Sequence, residues 1–177
     1  MTTSTRVLPW MPRHILDALR IFHAPRAGDL ESRLGLSVIL SDCRDSNPAW
    51  APHVARRLTR HAPGIGPLLL PVLANRSAVD AQVEFAARIL HGCPGLVPDA
   101  LVLCLAERAP GVAPTVILDL IPLPGGSARD PTIPRLILGH WARSSDPALR
   151  SAATSLRDGE DPLERPAQPS LFTAKRP

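Results

Sequence analysis

Tyrosine is absent from this chain of 177 residues, and with three Phe and three Trp the aromatic share is only 3%. A core must therefore be assembled from Leu, Val, Ile and Ala. The interleaved aromatics on which single-stranded nucleic acid commonly stacks are missing too. Lysine is almost absent: Lys175 stands alone beside nineteen Arg, and the formal net charge is +4. Guanidinium forks bind phosphate bidentately, yet the chain also has only two Asn and two Gln. Phosphate chemistry gives no reason for that second shortage. A GC-rich genome, whose codons favour Arg, Ala, Pro, Gly and Leu, accounts for both.

Cys43, Cys93 and Cys104 are too few and too scattered for a disulfide framework, which fits a reducing cytosol. His91 and Cys93 form an H-x-C pair, but the matched ligand pairs of a structural zinc site do not occur. No apolar segment reaches the roughly 18–20 residues that cross a bilayer; "LVPDALVLCLA" stops at Glu107. The start, "MTTSTRVLPWMPR", has no apolar run behind its charge, so no secretory signal is expected. "GLSVILSDCRDS" contains Ser37, Ser41 and Cys43 but no nucleophile elbow. "LPGGSARDP" at 123–131 is Gly-rich but lacks the spacing and the lysine of a phosphate loop. Neither an enzyme nor a cofactor is expected.

Proline, by contrast, is abundant, with 21 residues, and it is patterned. "ARRLTRHAPGIGP" begins at Ala55, and "AARILHGCPGLVP" begins at Ala86, 31 residues later. A third "PGVAP" follows at 110–114. Pro-Gly can end one element, because Gly accepts the left-handed conformation that closes a helix. The second proline (Pro67, Pro98, Pro114) can then open the next helix, where its missing N–H costs little. Asp130 and Asp146 precede prolines as candidate N-caps. Spacings near 16 and 31 residues point to stacked helix pairs of the solenoid type.

Segments 12–23, 50–62 and 78–91 carry apolar residues at helical spacing, for example Val83, Ala86, Ala87 and Leu90. The expected fold is all-α or α-rich, with short helix pairs around 50–157. The alternative is an α/β domain with short strands at 36–42, 100–106, 115–121 and 133–138, because these runs are apolar, brief and bounded by turn residues. Pro71 and Pro122 support that alternative, since a proline in a helix interior costs about 3 kcal/mol. The organisation read from the chain is an arm over 1–11, one domain over 12–157, and a disordered tail over 158–177.

Two stretches carry functional expectations. His53, Arg56, Arg57, Arg60 and His61 fall on one face of a helix, and Arg88 with His91 continues that stripe if the duplication is real. Such a face can meet the phosphates of nucleic acid or an anionic membrane surface. In the tail, Gln168-Pro169-Ser170-Leu171-Phe172 resembles the short peptide by which many bacterial replication and repair proteins dock on the β sliding clamp. Four of its five positions fit that pattern, with Pro169 in place of the more common leucine. The resemblance implies a docking role for Gln168, Leu171 and Phe172. The sequence thus reads as a cytoplasmic, non-enzymatic adaptor, expected to be a DNA-associated accessory protein of a GC-rich bacterium or a plasmid. The runner-up is a membrane-peripheral accessory protein of a mobile element, and the third reading is an enzyme of unrecognised type.

Overall fold

The computed structural model describes residues 11–23, 28–44, 48–121 and 132–159, and every regular element among them is helical. The nine α-helices among these residues are α1 (Arg13–Ile21), α2 (Asp29–Asp42), α3 (Ala51–Leu58), α4 (Ala62–Ala74) and α5 (Asp80–Leu90), then α6 (Asp99–Glu107), α7 (Pro114–Leu118), α8 (Thr132–Ala142) and α9 (Pro147–Gly159). Single 3-10 turns cover Thr59–His61 and Pro94–Leu96.

The packing follows chain order with a stride of two. Helix α4 packs on α5 and α6, α5 on α3 and α7, α6 on α7 and α8, and α9 on α7 and α8. Two layers result, with α4, α6 and α8 in one and α3, α5, α7 and α9 in the other. The helices of the second layer open at Ala51, Asp80, Pro114 and Pro147, in steps of 29, 34 and 33 residues. Each helix thus meets chiefly its neighbours in sequence, as stacked helix pairs do. At the N-terminal end, α1 packs on α2, and Met11 is already buried against the core.

The strand alternative is overturned. Residues 36–42 lie in α2, 100–106 in α6 and 133–138 in α8, while 115–121 begin in α7 and end in a turn. A short apolar run has no periodicity long enough to separate a buried helix from a buried strand. In α6 the buried set is Val102, Leu105 and Ala106, which is one side of a helix.

The repeated prolines behave differently from one copy to the next. Pro98 is the N-cap of α6, and Pro114 is the first residue of α7. In the first copy, however, α4 already starts at Ala62, so Pro63-Gly64 opens a helix instead of closing one, and Pro67 and Pro71 lie inside it. Pro63, Pro67 and Pro71 recur every fourth residue and so share one helix edge. All three are exposed. The carbonyls that lose their N–H partners therefore stand at a wet edge, where water can satisfy them. Pro122 and Asp130 lie outside the described residues. Asp146 does cap α9, its Oδ1 accepting from the N–H of Ala148 at 2.7 Å.

Among the described residues, the few aromatics tie separate elements together. The Trp141 indole on α8 is fully buried and donates to the Ala106 carbonyl of α6 at 3.1 Å. Trp50 meets Phe85 edge to face, with ring centroids 6.3 Å apart. At the end of α6, Arg108 clamps the corner between α4 and α5: Nη1 donates to the Asn75 carbonyl, Nη2 to the Ala78 carbonyl, and Nε to Asp80 Oδ1 at 3.0 Å. Gly111 lies against the Asp80 carboxylate so closely that a Cβ there would collide with it.

Candidate anion-binding face

The basic stripe forms because α3 passes almost without a break into the turn at Thr59–His61. Val54, Ala55, Leu58 and Ala62 are buried on the inner side. His53, Arg56 and Arg60 are exposed on the outer side, with Arg57 and His61 half-buried beside them. Thr59 fixes this segment to α5. Its hydroxyl stands 3.0 Å from the Ala55 carbonyl and 3.4 Å from the Arg88 carbonyl, and one hydroxyl proton serves one of them at a time.

A residue that the sequence stripe did not include completes the cluster. His23, just past the end of α1, stands with Nδ1 3.1 Å from Arg60 Nη2. Arg60 Nε donates to His61 Nε2 at 3.3 Å, and the two imidazoles meet edge to face at 5.8 Å between centroids. A guanidinium has donors only, so the ring nitrogens facing it must offer lone pairs, which makes both imidazoles neutral. The electrostatics agree. Burial, then Arg60 and Arg57, holds His23 below the usual histidine value. Burial, then Arg60 and His23, does the same for His61. An arriving phosphate reverses that balance, because it favours imidazolium and draws the guanidinium protons outward. No spacing rule could have found His23, which comes from a helix 37 residues away in sequence from Arg60.

Arg88 does not extend the stripe. Its Nε and Nη2 donate to Glu84 Oε1 at 3.1 and 2.6 Å. Glu84 Oε2 in turn accepts from the Ala113 N–H at 3.4 Å. Glu84 is a buried acid on α5, and Arg88 is committed to it. Gln168, Leu171 and Phe172 lie outside the described residues.

Other chemistry is thinly represented. Among the described residues, no three His, Cys, Asp or Glu side chains converge as a metal site requires. Cys43 is buried, and that burial, followed by the nearby Asp42, pushes its thiol up to about 12. Cys93 is half-buried, whereas Cys104 is exposed. No helix among the described residues is long and apolar enough to cross a membrane. Two grooves flank the proline edge of α4. One, of about 810 Å³, lies towards α2, and the other, of about 920 Å³, lies towards α6 with Cys104 in its wall. Comparison with protein-family models, with curated proteins and with solved structures finds no match for this chain.

Proposed function

We propose that the chain is a non-enzymatic binding protein whose α3 face engages the phosphates of nucleic acid. One observation carries this reading. Arg56, Arg57 and Arg60 stand on a single face with His23, His53 and His61, and the Arg60 guanidinium is held by imidazoles instead of a carboxylate. Duplex DNA is the favoured ligand, because its regularly spaced phosphates suit a rigid helix-borne row of cations and need no stacking aromatics.

The test is salt-dependent binding to duplex DNA by the full chain and by Arg56→Ala/Arg57→Ala/Arg60→Ala. The triple variant should bind about tenfold more weakly or worse. Its slope against log salt should be shallower by about 0.9 for each phosphate that the variant no longer neutralises. Binding by the unaltered chain should also tighten as the pH falls from about 7 towards 5, because His23 and His61 gain charge there and phosphate favours their charged forms. Unchanged affinity in the triple variant defeats the proposal. Preference for anionic vesicles over DNA turns the same face to lipid. The tail peptide forms a second part of the proposal, with its Leu-Phe pair docking on the sliding clamp. Leu171→Ala/Phe172→Ala should abolish capture by the clamp, and intact capture rules that contact out.

A further inference from the structure

The groove between α2 and α4 has a chemistry of its own, independent of the α3 face. Its lining includes three leucines, the half-buried Leu40 and Leu68 with Leu36 buried beneath them. Its walls carry two guanidiniums, Arg33 and Arg44, and no Asp or Glu belongs to its described lining. Both arginines are exposed, and neither has an ion-pair partner among the described residues. The hydroxyls of Ser37 and Ser41 add neutral polar groups between them. Next to this lining on α2, Leu30, Leu34 and Val38 recur every fourth residue and stand 69%, 58% and 41% exposed. A merely solvated helix edge has no use for three consecutive large apolar side chains. Arg33 lies near the start of α2, and Arg44 stands two residues past its last residue, Asp42.

We propose that the α2–α4 groove docks an acidic amphipathic helix of another protein. Apolar residues of that helix at i, i+3 or i+4, and i+7 lie over the half-buried Leu40 and Leu68. Carboxylates near its two ends reach Arg33 and Arg44, and the charge pairing sets its register. Charge complementarity selects this occupant. A second copy of the chain brings a net charge of +4 to a basic groove. The chain's own acidic stretch at 160–164, "EDPLE", offers one Leu and a helix-breaking proline.

The test uses the full ¹⁵N-labelled chain and two synthetic amphipathic helices of about four turns. They share a leucine face and are flanked by Glu in one and by Lys in the other. The Glu peptide should bind with micromolar affinity and shift the amides of Ser37, Ser41, Leu68 and Ser77. Arg33→Glu/Arg44→Glu should weaken it roughly tenfold or more and bind the Lys peptide instead. These side chains are exposed, so the melting temperature should hold, and Arg56→Ala/Arg57→Ala/Arg60→Ala should bind the Glu peptide normally. The proposal is overturned if neither peptide binds, if the double variant binds the Glu peptide unchanged, or if the shifts fall on α3. It is equally overturned if the groove is filled by a second copy, by a peptide of residues 158–164, or by anionic vesicles in place of the Glu helix.

Discussion

Helices α4 and α5 pack side by side yet are built from opposite materials. Helix α5 buries Val83, Phe85, Ala86, Ala87, Ile89 and Leu90 almost all round, and it takes even Glu84 inside. Helix α4 buries Ile65, Leu69 and Leu73 on one side and gives its other edge to prolines. Enclosure makes α5 intolerant, because every side chain has neighbours and its acid must be partnered. Exposure makes α4 permissive, because carbonyls orphaned by proline face water and the weakened ladder is braced by packing behind it. Gly66 marks where that bracing is tightest. A Cβ there would come within 2.8 Å of Leu96 and 3.2 Å of Leu90. In a stacked array, then, one helix of a pair supplies cohesion while its partner is free to shape grooves.

The contrast can be broken by substitution. The largest effect should come from Phe85→Ala, which empties a site 2% exposed and should cost about 3–5 kcal/mol in urea unfolding. Leu70→Ala, on the half-buried groove side of α4, should cost about 1 kcal/mol; equal losses at the two positions would erase the distinction. Next comes Arg88→Ala, which strands a carboxylate whose side chain is 11% exposed and should cost about 2 kcal/mol. Arg56→Ala, in open solvent, should change stability by less than about 0.5 kcal/mol. Pro67→Ala should act in the opposite direction. Restoring an N–H to the Pro63 carbonyl favours the fold, while the freer unfolded chain takes back about 0.4–1 kcal/mol. The net expectation is a gain of about 1 kcal/mol, and a loss would mean that α4 is fitted to its prolines.

Histidine adds a sign that can be checked in the same unfolding data. His23 and His61 hold their protons less well folded than unfolded. The unfolded chain therefore binds more protons below about pH 6.5, and stability should decline as the pH falls through that window. It should be indifferent to these groups above it. His23→Gln should flatten part of that decline.

Much of the fold was legible where period and length agreed. The stripe Val83, Ala86, Ala87 and Leu90 is buried as its spacing requires, and the duplication at Ala55 and Ala86 falls on α3 and α5, equivalent members of one layer. The runs at 100–106 and 133–138 were ambiguous because four to seven apolar residues do not display a period. Pro71 misled for a different reason: its cost depends on which side of the helix faces water, and only packing decides that. The site was half readable. The α3 stripe follows from local geometry, whereas His23 and the Glu84–Arg88 pairing depend on which helices stack, and that information lies in no single segment.

Burial sets Cys43 apart from the other two thiols. Cys43 keeps its proton throughout the neutral range, so alkylating labels pass it by while the fold is intact. Cys104 lies open in the wall of the groove beside α6. A fluorophore placed there, with Cys93 changed to Ser, gives a native optical handle on whatever enters that groove, and the same label on Cys43 becomes a direct readout of unfolding.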